Sequence, residues 1–416
     1  MRVLFATWAG GGHYAPLVPL GWALRAAGHD VLVASHPSYA ATIAGSGLAA
    51  LPAGRDIDMF ALLGAKRRGE EWRMWRPEGA GAGPIPNRRG YEGMKDTAEQ
   101  VAHVLADDVV AFARYWRPDL VVFEPTSFVG PLVARLLGIP AVRHLWTADF
   151  TAPVNGFGPT VSSLPARFGL GELGVLGELT LDPCPPRLEV ADDLPRQPIR
   201  YVPYNGPAVL PGWLREPPAR RRVCVTWGTS LTGMGGSDRM SHVPGVVRAL
   251  AGFDVEVVVA VLESQRELFT EMPANVRSVG PVPLHLLLPT CDAIIHQGGG
   301  GTLMTALVCG VPQLVVPSIP DQTFNARQLA ATGAGRYLPG GEAVTEAAVA
   351  EHAGSVLDDP ACRDAARQLQ AEALALPAPA DVVGVLEQLA RTGACPSGHG
   401  AARDRREEAS RELLAN

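Results

Sequence analysis

Residues 294–325 read IIHQGGGGTLMTALVCGVPQLVVPSIPDQTFN, and this stretch restricts the fold more than any other. Ala293, Ile294 and Ile295 read as the end of a buried parallel strand, because the apolar residues run on without alternation. His296 and Gln297 follow, then Gly298, Gly299, Gly300 and Gly301, then Thr302 and a helix-compatible run over 303–308. A strand that breaks into glycines and restarts as a helix leaves bare backbone N–H groups at a helix N-terminus. Those groups lack intrahelical partners and lie at the positive end of the helix dipole, so they suit an anion. Glycine also lets a phosphate approach the backbone closely. A second strand at 313–316 follows at βαβ spacing and leads through two prolines to Asp321 and Gln322. In an open α/β sheet, ligands bind beyond the carboxyl ends of the strands. His296, the glycines, Asp321 and Gln322 can therefore share one rim. A glycine run by itself fits a plain flexible loop equally well.

The chain has 416 residues, enough for two or three domains. Apolar residues make up 47% and charged ones 19%, so large cores can be buried. The net charge of -6 supplies no basic footprint for nucleic acid. Six cysteines are scattered without a CxxC pair, which fits reduced thiols and a cytoplasmic setting. The first residues, MRVLFATW, read as a buried strand rather than a leader, and no apolar run is long enough to span a membrane.

In chain order, 3–8 reads as the first strand, 9–13 as a glycine turn, 16–27 as a helix and 31–35 as a second strand. The turn lacks GxGxxG spacing, and His36 stands where a dinucleotide site places an acidic residue, so a Rossmann oxidoreductase is a poor fit. His13 lies just past the first strand. The rim rule places it in a cleft, but a His there can equally cap the following helix. Residues 54–100 are the least regular, with Trp72 and Trp75 in EEWRMWRP and a metal-like DxD triplet, Asp56-Ile57-Asp58, in a polar loop. A helix over 97–115 leads to a strand at 120–123 and then Glu124. A carboxylate at that strand end can fix an imidazole in one tautomer, or simply cap the next helix. Strands are expected at 141–146, 223–227, 255–261 and 275–279, and helices at 131–137, 346–357, 362–375 and 380–389. Residues 150–200 carry few signals.

The segment HQGGGGT resembles the His-x-Gly-Gly-(Ala/Ser)-Gly-Thr signature of nucleotide-sugar-dependent glycosyltransferases of the GT-B fold. Within them the chain is similar to the bacterial natural-product glycosyltransferases that use dTDP-deoxysugars. The resemblance runs from Met1 to about Gly393. Gln297 stands where the family often has a second His, and Gly300 where it often has Ala or Ser. The fold implied is α/β, with two Rossmann-like domains facing across a cleft. They would comprise 1–205 for the acceptor and 222–378 for the donor, joined by a linker at 206–221. A helix at 379–393 would cross back to the first domain, and 394–416 would form a solvated tail.

The resemblance also assigns roles. It makes His13 the general base and Glu124 its partner. The diphosphate would lie against Thr229, Ser230, His296, Gly298, Gly299, Gly300, Gly301 and Thr302. The nucleobase would meet Trp227, Val282, Pro283 and Leu284, and the sugar Asp321 and Gln322. Trp8, Tyr14, Trp72, Trp75 and Trp146 would face the acceptor. The implied reaction is inverting and metal-independent, moving a deoxysugar to an aromatic or macrolide-type polyketide in antibiotic biosynthesis. No cofactor is implied beyond the dTDP-sugar co-substrate. Partnership with nucleic acid or membrane is not expected, while a homodimer and a separate activator protein both fit the resemblance. Two rival readings are a sugar-nucleotide 2-epimerase on the same fold and a non-catalytic auxiliary protein that keeps the fold. The long aromatic-bearing loop weighs against the first, and His13 with Asp321-Gln322 against the second.

Overall fold

Apolar runs fold into strands buried on both faces. In β1 (Arg2–Ala6) the residues Val3, Leu4, Phe5 and Ala6 are all fully buried, as expected where helices cover both sides of a parallel sheet. A computed structural model describes residues 1–57, 88–151, 162–190, 193–228, 242–339 and 344–394. Its first sheet also contains β2 (Asp30–Ser35), β3 (Ala49–Pro52), β4 (Leu120–Phe123), β5 (Ala141–His144), β6 (Leu179–Asp182) and β7 (Arg196–Pro198). The strands lie in the order β3-β2-β1-β4-β5-β6-β7, every pair parallel. The second sheet joins β8 (Arg221–Thr226), β9 (Val255–Ala260), β10 (Val276–Gly280), β11 (Ala293–His296), β12 (Gln313–Val315) and β13 (Gly335–Tyr337). Its order is β10-β9-β8-β11-β12-β13, again all parallel. This is the expected pair of doubly wound α/β units, the GT-B arrangement.

The strand order reverses between β1 and β4 in the first sheet and between β8 and β11 in the second. Such switch points open a crevice at the carboxyl ends of the strands. The chain crosses back at its end. Val382, Leu386 and Leu389 of the Pro379–Thr392 helix are fully buried in one cluster with Leu17, Leu20 and Leu24 of the first unit.

Some expectations need correction. β1 stops at Ala6, before Trp8. The quiet stretch 150–200 contributes β6 and β7, and β3 and β13 also lacked a signal. These strands are three or four residues long, too short to show a period. As expected, the five described cysteines are free thiols, with Cys224 buried and Cys291 and Cys309 half-buried. Asp56 accepts a hydrogen bond from the Ser38 N–H at 2.8 Å, and Asp58 lies outside the described residues. Among the described residues no group of three His, Cys, Asp or Glu side chains converges as metal ligands would. No single described helix is long and apolar enough to cross a membrane.

Candidate active site

The first half of the site sits at the β1/β4 switch. After β1 the glycine turn bends the chain into a short helical turn, Gly11–Tyr14, which carries His13. Glu124 follows the last residue of β4. The two meet at 3.1 Å, His13 Nδ1 to Glu124 Oε2, with Glu124 fully buried and the imidazole 22% exposed. A buried carboxylate needs hydrogen-bond donors to remain charged. Glu124 receives the Thr126 N–H at 2.9 Å and the Thr126 hydroxyl at 2.8 and 3.0 Å. The Trp8 indole N–H points at Thr126 Oγ1 (2.8 Å) and at His13 Nδ1 (3.0 Å). The ring of Trp8 lies 4.2 Å from the imidazole, and Trp146 meets the imidazole edge-on at 4.5 Å. With Nδ1 turned to Glu124, Nε2 is the ring nitrogen left for the cleft.

Trp146 and Thr147 follow β5, on a loop held from beneath by a buried charge network. Asp149 takes Arg143 at 2.7 Å and Arg196 at 2.9 Å, and Arg196 also reaches Asp182 at 2.7 Å. Arg143 binds Thr151 as well. Burial pushes the Asp182 carboxyl up to about 7, with Arg196 partly opposing the shift. Trp146 meets Phe150 at a tilt, with ring centroids 5.8 Å apart, and both rings are buried.

The second half is the glycine stretch at the β8/β11 switch. Gly299 caps the Gly300–Val308 helix, whose first intrahelical bond runs from the Leu303 N–H to the Gly299 carbonyl. The N–H groups of Gly300, Gly301 and Thr302 precede that bond and so belong to the partnerless first turn. Asp321 starts the Pro320–Ala331 helix and is half-buried. Burial raises its carboxyl, its own N–H and that of Gln322 offset part of the rise, and His13 offsets a little more from across the cleft. Val282, Pro283 and Leu284 lie just past β10 on the same rim, half-buried.

The two units are also joined directly. Asn325 donates to the Gly298 carbonyl at 2.9 Å and accepts from the Thr147 hydroxyl at 3.4 Å. The Tyr201 hydroxyl donates to the Gly301 carbonyl at 3.3 Å. A Cβ at Gly300 would come within 2.8 Å of Trp146 Cδ1 and 3.0 Å of Thr147 Cβ, so the first unit sits tightly on this glycine.

Several assignments change. His296 is fully buried in β11, and both of its ring nitrogens are engaged within the protein. Its Nδ1 accepts from the Gly298 N–H at 3.0 Å, so its Nε2–H donates to Gln313 Oε1 at 2.9 Å. Burial pushes its pKa down to about 4, with Gln313 opposing, and the ring is neutral. Gly298 accordingly has its N–H occupied. Its role is conformational: φ is +93°, and a Cβ there would lie 2.8 Å from Val315 and 3.0 Å from the Gln322 carbonyl. Trp227 is fully buried in the core of the second unit against His242, so it offers no face to a base. Tyr14 is 1% exposed, with its hydroxyl on Ser46 at 2.5 Å, and packs in the first core instead of facing an acceptor. Gln322 is buried, and its carbonyl is committed to the Ser318 N–H at 2.9 Å. Trp8 turns its N–H inward and braces the dyad. Thr229, Ser230, Trp72 and Trp75 lie outside the described residues.

Sequence reasoning passed over Thr126, Gln313, Thr147 and Asn325, and noted Gln297 only as a departure from the family signature. Gln297 covers Gly228 and Gly299 with its amide and leaves its buried Oε1 without a partner. The only available signal was proximity: Thr126 stands two residues after Glu124, and Asn325 four after Asp321.

Comparison with known proteins agrees with the geometry. Residues 22–228 match the family described as erythromycin biosynthesis protein CIII-like, N-terminal domain, and residues 245–389 match its C-terminal domain. The chain is 40% identical to a 10-deoxymethynolide desosaminyltransferase of Streptomyces venezuelae, over 94% of this chain and 97% of that protein. It is 38% identical to a TDP-daunosamine transferase of Streptomyces peucetius, over 96% and 99%. Among solved structures, a spinosyn rhamnosyltransferase complexed with thymidine diphosphate is 33% identical, with a TM-score of 0.77 over 93% of this chain and 100% of that one.

Proposed function

The chain belongs to the erythromycin biosynthesis protein CIII-like family of bacterial natural-product glycosyltransferases, and from that premise we propose that it moves a deoxysugar from a dTDP-sugar to a hydroxyl of a hydrophobic polyketide, with inversion and without a metal. The observation that carries this reading is the Glu124–His13 dyad at the β1/β4 switch point, with the Trp146–Thr147 segment beside it resting on Gly300 in the partnerless first turn of the glycine helix. His13 Nε2 takes the acceptor proton as the acceptor oxygen attacks the anomeric carbon. The bond from that carbon to the diphosphate breaks on the opposite face, and dTDP leaves. Glu124 stabilises the imidazolium that forms. The leaving diphosphate gains charge, and the N–H groups of Gly300, Gly301 and Thr302 are already oriented to receive it. Trp146, which meets the His13 imidazole edge-on, supplies an apolar edge for a flat acceptor. Relatives named for TDP-daunosamine transfer and a neighbour holding thymidine diphosphate favour thymidine over uridine in the donor. The intact dyad favours turnover over an auxiliary role.

The test is calorimetric titration with dTDP and with UDP in the presence of EDTA, on wild type and His13→Ala, beside a transfer assay. A general base contributes about 10²–10⁴-fold. His13→Ala should lose turnover on that scale and keep nucleotide binding. Failure of the wild type to bind dTDP under EDTA would sink the donor and metal-free parts of the proposal together.

A further inference from the structure

We propose that Thr126 sets the tautomer of His13 by holding the indole N–H of Trp8 away from it, an inference that rests on His13 being the base. The ring nitrogen Nδ1 has three polar neighbours: the Thr126 hydroxyl at 3.3 Å, which can donate or accept, and two that are incompatible with each other. Glu124 Oε2, at 3.1 Å, can only accept when ionised, and Trp8 Nε1, at 3.0 Å, can only donate. A proton on Nδ1 satisfies Glu124 and confronts the indole N–H. A bare Nδ1 accepts from the indole and places the proton on Nε2, where a base needs a lone pair. Thr126 Oγ1 resolves the conflict. It lies 2.8 Å from the indole nitrogen and 2.8 Å from Glu124 Oε2, so it accepts from Trp8 with its lone pair and donates its own hydrogen to Glu124. The chain of donors then runs from Trp8 to Thr126 to Glu124, with His13 Nδ1–H as a second donor onto the same carboxylate. A bond to a buried carboxylate is about twice as strong as a neutral one, which favours this pattern while the hydroxyl is present.

Thr126 is thus a positioning residue. In Thr126→Val the indole has no acceptor left except His13 Nδ1, so a substantial share of His13 moves to the Nε2–H form. Removing the competing donor as well, in the Trp8→Phe/Thr126→Val double variant, returns the proton to Nδ1. A purely structural role for Thr126 predicts the reverse, with the double variant worse than the single.

The experiment uses the full chain labelled with ¹⁵N-histidine, with the His13 ring signals identified by their loss in His13→Asn. Wild type and Thr126→Ser should show protonated Nδ1 and bare Nε2. Thr126→Val should move toward the opposite pattern, and the double variant should restore the first. Turnover should follow. A wrongly held catalytic His can cost up to about 10⁴-fold, and a partial shift in Thr126→Val should cost roughly 10- to 100-fold, in kcat rather than in donor KM, with much of it recovered in the double variant. An unchanged pattern in Thr126→Val, loss of Nδ1–H in Thr126→Ser, or a double variant no better than the single would overturn the proposal. If Thr126→Val does not fold, Thr126→Ala, alone and with Trp8→Phe, takes its place. Tautomer shifts as described without transfer in any protein, wild type included, would uphold the tautomer control and overturn the transferase reading instead.

Discussion

Gly300→Ala separates the chemistry of the donor helix from the fit between the two units. Within its own unit the change is close to neutral, since Gly300 is the first residue of its helix and the preference for alanine over glycine belongs to helix interiors. Across the cleft it is not. The new Cβ would stand 2.8 Å from Trp146 Cδ1 and 3.0 Å from both Cβ and Cγ2 of Thr147. Neither neighbour can yield easily. Trp146 is 9% exposed and wedged between His13 and Phe150, and Thr147 is 2% exposed. Overpacking of this kind costs about 1–3 kcal/mol, which disfavours the closed arrangement roughly 5- to 150-fold. The same arrangement holds the Thr147–Asn325 and Tyr201–Gly301 hydrogen bonds between the two units. Gly300→Ala should therefore bind dTDP as wild type does, resist denaturant as wild type does in the second unit, and lose turnover within that range. Wild-type turnover at unchanged stability would refute the reasoning, because it would mean that the Trp146–Gly300 contact is absent when the enzyme works.

Three further outcomes are expected. Asp149→Ala leaves Arg143 and Arg196 buried without their shared carboxylate, and breaking a buried pair this way costs about 3–5 kcal/mol; chemical denaturation should show a loss of that order in the first unit, and a loss under 1 kcal/mol would contradict the network's role. Tyr14→Phe removes a core hydrogen bond to Ser46 and touches no acceptor wall, so it should cost about 0.5–1.5 kcal/mol of stability with acceptor KM unchanged; a raised KM would restore Tyr14 to the acceptor site. His144 and His296 are both held down to about 4 by burial. The folded chain refuses their protons while the unfolded chain accepts them, so the stability each contributes is complete above about 6.5, falls as pH drops toward 4, and amounts to roughly 3 kcal/mol per ring. The stability gap between wild type and His296→Gln should shrink from pH 7 to pH 4.5, and a constant gap would exclude a neutral His296.

How much of this was readable from the sequence depends on where each residue stands relative to a strand end. The long apolar strands and the βαβ spacing were legible, because continuous burial leaves a continuous apolar run. β4 lies where its run of Leu, Val, Val and Phe predicts, and Glu124 follows it. β6 and β7 were not legible, because three or four residues carry no period and their pairing is decided by neighbours far away in sequence. The same limit hid Thr126 and Asn325. Their importance lies in partners 113 and 178 residues distant, His13 and Thr147. Trp227 and Tyr14 failed for another reason: an aromatic beside a glycine turn reads as a binding surface, and only packing decides whether it points into the cleft or under it.

His13 and His296 show the physics of that decision. Each follows an apolar strand and adjoins a glycine run, and sequence treats them alike. His296 is still in β11, in register with Thr226 and Val315, so its side chain is fixed to a face of the sheet that helices cover. There a charge is costly, and the ring settles as a neutral linker between the Gly298 N–H and Gln313. His13 stands seven residues past Ala6, beyond the ladder, on a turn free to aim it across the switch point. There its Nδ1 meets Glu124 at 3.1 Å and the ring keeps 22% of its surface exposed. A histidine inside the last rung of a strand becomes scaffold, and one past the rung can become a base. Moving the turn inward by deleting Gly11 and Gly12 should accordingly abolish turnover while leaving the second unit's dTDP binding untouched. Retained transfer would show that the turn's length does not place the base.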